Sequence, residues 1–295
     1  MYPRGMRAHL SNAWPILSLA GAMVLVGSSV VAGKVLAENL PIFLAGLLRF
    51  AGALAVLLPL MRWLGGGWPR LTRRTWALAA LQALCGSFLF TVFLLWGVER
   101  AGAAAAGVVA STTPACMAVV AWLFLGERPS RRALLGVGFA VVGLAAVNWP
   151  TDTALPPGGW PALLAGNALV FAAVVFESLF LLIRKAVREP LTPLALSTLV
   201  SGFGLLWFLP LGAWEAARLD WAAVPAAGWW AVGYYAVAVT VLAYLLWFAG
   251  IPRVGAATAG AMTAVMPVSA LALSALVLGE TLGPGHVLGC AAVLA

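Results

Sequence analysis

The stretch Glu99–Gly136, ERAGAAAAGVVASTTPACMAVVAWLFLGERPSRRALLG, decides how this chain is built. It returns as Pro252–Gly289, PRVGAATAGAMTAVMPVSALALSALVLGETLGPGHVLG. Five landmark pairs keep one offset of 153 positions: Gly102 and Gly255, Gly107 and Gly260, Pro114 and Pro267, Glu127 and Glu280, Gly136 and Gly289. A constant offset across two apolar helices and the turn between them marks a doubled chain. An internal repeat governs the architecture before any local assignment does.

The two copies differ at the turn. GERPSRR in the first contains Arg128, Arg131 and Arg132, whereas GETLGPG in the second contains no Lys or Arg. Basic residues concentrate on the cytoplasmic side of a membrane. The first turn is therefore expected inside and the second outside. That makes the repeats inverted, an arrangement common among secondary transporters.

A chain of 295 residues that is 63% hydrophobic and 9% charged is no soluble globule, because soluble domains hold about 25% charged residues. The net charge of +8 does not point to nucleic acid. Its basic residues sit in short loops between apolar runs and form no continuous surface. His9–Trp14 lead straight into an apolar run with no A-x-A-like exit, so the first span reads as a retained anchor. Cys85, Cys116 and Cys290 lie in apolar runs without C-x-x-C spacing, which indicates packing. With only His9 and His286 as histidines, neither a metal site nor any cofactor is expected.

Ten spans are predicted, near 14–33, 42–62, 75–97, 102–125, 131–149, 161–183, 191–212, 225–249, 255–278 and 285 onward. The stretch from 285 to Ala295 is shorter than the roughly 20 residues a span needs. The expectation is that the sequence stops inside the tenth span. The fold class is thus an all-α integral membrane protein of ten transmembrane helices in two inverted five-helix repeats, residues 1–150 and 151–295. The join at Pro150–Pro161 is rich in Pro and Gly and reads as an external linker.

Loop charges set the orientation. With the N-terminus inside, Arg4, Arg7, Arg62, Arg70, Arg73, Arg74, Arg128, Arg131, Arg132, Arg184, Lys185, Arg188 and Arg253 all face the cytoplasm. Lys34, Arg100 and Arg218 face outward. Both termini are therefore expected in the cytoplasm. The first parts of the repeats match more loosely, through Lys34 and Lys185, Pro41 and Pro193, and Pro59 and Pro210, at offsets of 151, 152 and 151. Most tryptophans lie near predicted span ends, as interfacial belts require; Trp96 and Trp247 lie deeper.

The chain has no catalytic constellation. It lacks G-x-x-x-x-G-K-[ST], so it does not drive transport with its own ATPase. No acidic pair shares a helix face, and no Ser has a plausible His partner. An enzyme is not expected. Intramembrane polar groups are the informative ones, because they are expensive in hydrocarbon and face the bundle interior or a water-filled cavity. Glu177 is the acidic residue well inside a span, seven residues before Arg184; it is a candidate proton or substrate-amine site, or else a member of an internal salt bridge or a group reached by cytoplasmic water. Arg49 in the second span is expected to anchor to neighbouring carbonyls or to Glu38. The candidate substrate cavity comprises Ser28, Gln82, Thr91, Trp96, Ser111, Thr112, Phe176, Glu177, Tyr234 and Tyr244. At ordinary helical spacing Tyr234, Val237, Val241, Tyr244 and Phe248 fall on one face, suited to a small amphipathic solute. Pro114 and Pro267 can kink their helices and are the candidate gating positions.

On these residues the chain resembles the drug/metabolite transporter (DMT) superfamily, EamA type, over its whole length. The shared features are Arg49 in LLRF, the small-residue run ending at Pro114, and the turns Gly126–Glu127 and Gly279–Glu280. Within that superfamily it looks like the YddG-type amino-acid exporters, through Lys34, Tyr244 and Trp247. Where those exporters show Trp in spans one and six, this chain has Val26 and Phe176. The resemblance implies a central cavity lined by spans one, three, four, six, eight and nine. It implies a monomeric secondary carrier of the bacterial inner membrane, exporting amino acids and related metabolites by alternating access. Its partners would be the small-molecule substrate and the lipid bilayer. Export of other amphipathic metabolites or drugs, a lipid-acting membrane enzyme and a scaffold subunit are the competing readings.

Overall fold

The computed structural model describes residues 4–64, 70–101, 109–110, 112–129, 131, 134–135, 138 and 158–278. The predicted tenth span, almost all of the fifth and Ser111 lie outside the described residues. Among the described residues every regular element is helical. They are α1 (Arg4–Asn39), α2 (Ile42–Leu64), α3 (Arg73–Ala101), α4 (Thr113–Leu125), α5 (Gly159–Ala186), α6 (Pro193–Ala216), α7 (Ala226–Arg253), α8 (Ala256–Thr263) and α9 (Val265–Leu278). Helices α2, α3, α5, α6 and α7 are each long and apolar enough to cross a membrane. Shorter apolar stretches are Ala13–Ser29, Thr113–Leu125 and Ala256–Ala270.

Local chemistry sets several of the ends. Thr72 caps α3 by accepting from the Thr75 amide, and Thr192 caps α6 by accepting from the Ala195 amide, with Pro193 at the first helical position. An N-terminal proline loses no intrahelical bond there. Gly126 closes α4 at φ 69°, a left-handed conformation that favours glycine. The prolines singled out in the sequence stand just after breaks. Turn residue Thr112 precedes α4 and Pro114, and turn residue Ala264 separates α8 from α9 shortly before Pro267. A proline removes an amide donor and crowds the preceding turn, so both helices interrupt on its N-terminal side.

Helices α3 and α7 each widen into a π segment, at Leu84–Leu89 and at Tyr235–Leu242. Their last residues are 153 positions apart, the offset of the sequence repeat. Single π turns inside α-helices occur frequently at functional sites.

The main packing pairs are α2 with α6, α3 with α5, α1 with α9 and α1 with α7. Glycine brings several of these together. A Cβ on Gly97 of α3 would stand 2.5 Å from Val170 Cγ2 and 2.9 Å from the Gly166 carbonyl oxygen of α5. A Cβ on Gly250 of α7 would stand 2.8 Å from both Leu19 Cγ and the Pro15 carbonyl oxygen of α1. The core runs through Phe50, Phe208, Phe180, Phe248 and Trp247. Trp63 and Trp230 instead stand exposed on the outside of the bundle.

The helices are also tied at one end. Glu127, just beyond α4, accepts from Lys185 Nζ of α5 at 2.7 Å and from the Ala256 amide of α8 at 2.7 Å. Burial opposes its charge, but the Lys185 hydrogen bond, the Ala256 amide and the Lys185 charge outweigh it and lower the Glu127 pKa. Nearby, Glu189 accepts from the hydroxyls of Thr72 and Thr75 at the start of α3. Those bonds bring its pKa down to about 2. At the opposite end Glu215 Oε2 accepts from the Leu44 amide at 2.7 Å, joining α6 to α2.

Candidate functional site

A chain of polar and aromatic contacts crosses the bundle from α1 to α3. Ser28 Oγ lies 2.5 Å from the Tyr234 hydroxyl. Next to it the Tyr235 hydroxyl donates to the Ser29 carbonyl at 2.7 Å. The Arg49 guanidinium sits 5.6 Å from the Tyr235 ring and 4.8 Å from the Phe50 ring. Arg49 Nε donates to Thr240 Oγ1 at 2.6 Å, and Nη2 donates to the Tyr244 hydroxyl at 3.3 Å. The Tyr244 ring packs 5.4 Å from Phe180 of α5. Gln82 Nε2 of α3 donates to the Phe180 carbonyl at 2.7 Å. This path passes through the π segment of α7 and ends beside that of α3.

A second group lies one turn along α5 from Phe180. Thr113 Oγ1 donates to Glu177 Oε2 at 3.1 Å and also to the Ala110 carbonyl at 2.8 Å. Thr112 Oγ1 donates to the Val109 carbonyl at 2.7 Å. Phe176 meets Phe93 edge-on at 5.2 Å. Thr91 bonds its own helix at the Ser87 carbonyl, the ordinary local use of a helical hydroxyl.

The candidates from the sequence therefore separate. Ser28, Gln82, Tyr234 and Tyr244 join the first path, and Thr112, Phe176 and Glu177 the second group. Trp96 points away, 51% exposed. Pro114 lies where α8 crosses α4, 3.4 Å from where a Cβ on Gly260 would stand. Trp247, the other deep tryptophan, is buried and donates to the Leu181 carbonyl.

Two expectations need correcting. Among the described residues Arg49 anchors to neither a backbone carbonyl nor Glu38; its hydrogen-bond partners are Thr240 and Tyr244. The expected single face of α7 also splits. Tyr234 and Val237 are exposed, while Val241, Tyr244 and Phe248 are buried. The π segment between them adds backbone to the turn and rotates the next stretch of helix, so ordinary helical spacing fails across it. Arg49 is the residue sequence reasoning undervalued. A lone arginine inside an apolar span, with no acidic residue one turn away, was the available signal.

The groups in place are hydroxyls, amides, one guanidinium and one carboxylate against aromatic walls. Among the described residues no three His, Cys, Asp or Glu side chains gather as a metal site. Hydrogen bonding and charge pairing with a small solute are what such a set can do.

The chain belongs to the EamA-like transporter family, which it matches at residues 13–149 and 164–295, once in each repeat. It is a multi-pass membrane transporter and not an enzyme. It is 40% identical over 278 residues to the uncharacterized transporter YetK of Bacillus subtilis, covering 94% of this chain and 84% of that protein. It is 27% identical over 259 residues to the uncharacterized transporter sll0355 of Synechocystis, covering 79% and 73% of the two chains. A solved crystal structure, 21% identical, superposes with a TM-score of 0.71 over 95% of each chain and shares its fold.

Proposed function

We propose that the protein is a secondary transporter of a bacterial inner membrane, exporting amino acids and related small metabolites by alternating access. In this reading ten spans form two inverted five-helix repeats, with both termini in the cytoplasm. The observation that supports it best is the matched pair of π segments, one per repeat, each adjoining intramembrane polar groups. On α3 these are Gln82 and Ser87. On α7 they are Tyr235, Thr240 and Tyr244. Gln82 Oε1 and Ser87 Oγ are buried with no hydrogen-bond partner among the described residues, and unsatisfied polar atoms are expensive in a lipid-facing bundle.

The mixed walls of Phe180, Tyr244 and Phe248 suit an amphipathic side chain. Apolar walls discriminate by only about 1–3 kcal/mol per methylene, so several amino acids share the path with modest differences in rate. Phe176, where YddG-type exporters show Trp, extends the same character to α5.

The test is uptake of a panel of labelled amino acids into proteoliposomes, with and without a pH gradient. Saturable uptake of several of them is expected. Uptake no faster than protein-free liposomes for every amino acid, with transport of an apolar amphipathic drug instead, would replace this reading by the drug-exporter one.

A further inference from the structure

We propose that Arg49 is the anion anchor of the transport path, where the guanidinium receives the carboxylate of the solute. This deepens the transport reading and rests on it for the presence of a solute at that depth.

Arg49 lies seven residues inside the first residue of α2, Ile42, roughly 10 Å along the helix axis. It is a charged group within a membrane span, and arginine stays charged in proteins. A charge at such depth pairs with an opposite charge or with backbone carbonyls, or serves a solute or ion pathway. Arg49 has no anionic partner among the described residues. The ion pairs there are Lys185 with Glu127 and Arg100 with Glu99. Its own partners are the hydroxyls of Thr240 and Tyr244 and the ring faces of Phe50 and Tyr235.

Those partners hold the guanidinium without neutralising it. Its two hydrogen bonds occupy two of the five N–H donors of an arginine, leaving three. Nε and Nη2 are engaged toward α7, and Nη1 has no hydrogen-bond partner among the described residues. Arg49 is also only partly buried. A planar fork with spare donors matches carboxylate or phosphate geometry. The aromatic walls beside it, Tyr244 and Phe180, select a carboxylate borne on a small amphipathic molecule.

The repeat supplies a further argument. The position 152 residues on from Arg49, at the offset that relates Pro41 to Pro193, is Ser201. Ser201 is buried on α6, with its Oγ unpaired among the described residues. The packing that the two halves share therefore does not require a cation at this place. The charge belongs to one half alone, as a single solute-binding group would.

The test compares acids with their amides, which keep the side chain and amine but lose the carboxylate. Purified full-length protein is heated in detergent with L-leucine, L-phenylalanine, their amides, or inorganic phosphate. The expected result is a raised unfolding midpoint with both acids and an at least tenfold higher concentration of amide for the same shift. Arg49→Gln removes that preference, and Arg49→Lys retains part of it. Equal protection by acids and amides in the unaltered protein overturns the proposal, and this comparison needs no variant to fold. So does an acid preference that persists in folded Arg49→Gln, or no shift with any probe. Labelled leucine uptake is measured in parallel. Uptake without acid preference sinks the anchor and leaves the transport reading standing. Arg49-dependent protection by phosphate alone, without amino-acid uptake, keeps the anchor and overturns the amino-acid reading.

Discussion

Gly97 and Gly250, 153 residues apart, make the same contact in the two halves of the molecule. Gly97 faces the Gly166 carbonyl and Val170, and Gly250 faces the Pro15 carbonyl and Leu19. Pro15 and Gly166, like Leu19 and Val170, are 151 apart, the offset that joins Lys34 to Lys185. The duplication thus extends to individual backbone approaches. Each of these contacts also joins a helix of one repeat to a helix of the other.

Substituting either glycine tests this equivalence. Gly97→Ala and Gly250→Ala each place a methyl against backbone and should destabilise by about 1–3 kcal/mol, the usual range for overpacking. Gly233→Ala, where nothing lies within 4 Å of the new Cβ, should be neutral or stabilising by up to about 1 kcal/mol. Unfolding midpoints in detergent provide the check, and equal effects at all three positions would remove the packing argument.

The Glu127 tie has a pH signature. A carboxylate with a lowered folded pKa stabilises above its unfolded value, about 4.3, and that contribution is lost as pH falls through the folded value. Glu127→Gln should therefore unfold more easily than the unaltered protein near neutrality, by about 1 kcal/mol for a partly exposed pair and a hydrogen bond. The gap should close below about pH 4. Melting curves from pH 7 to pH 3 would reveal a constant gap if the tie were unimportant.

Thr72 and Glu189 hold the first turn of α3. Thr72→Ala removes an N-cap, a change of about 1 kcal/mol, and should raise amide exchange at Trp76 and its neighbours. Glu189 is held near pKa 2, so its bonds to Thr72 and Thr75 should persist as the pH is lowered and fail only toward that value. Protection of this turn lost already at pH 5 would contradict it.

Glu177→Gln separates two forms of the transport mechanism. Glu177 is held by Thr113 alone among the hydrogen bonds observed, and a neutral amide can keep that bond. Loss of dependence on the pH gradient, with uptake retained, assigns proton coupling to Glu177. An unchanged gradient response leaves it a structural group. Flux measured at several imposed gradients gives the answer.

Much of the fold was legible because it rests on patterns a sequence displays. The pairs Gly107 and Gly260, and Pro114 and Pro267, expose the repeat, and long apolar runs locate the five helices long enough to cross a membrane. The π segments were not legible. One extra residue per turn leaves no mark in an apolar run, so Tyr234 and Tyr244 read as one face, whereas Tyr234 is exposed and Tyr244 buried. Arg49 was visible as an oddity, but its partner Thr240 is 191 residues away, and no local pattern reveals such a pairing. In the sequence Glu127 stands out as a repeat landmark and as part of the Gly126–Glu127 turn, but not as a tie between helices. Its bonds to Lys185 and Ala256 depend on three separate helices meeting at one end.

The packing of α1 has a consequence for biogenesis. This first helix touches its sequence neighbour α2 only slightly and lies mainly against α7 and α9. As the chain leaves the ribosome, α1 enters the bilayer some two hundred residues ahead of these partners. Until they arrive, the face around Gly27, later filled by Ser269, is covered by lipid or by an insertion factor. Tertiary assembly of the first half must therefore wait for the second to be translated, and a stalled nascent chain ending before α7 is a natural substrate for membrane quality control.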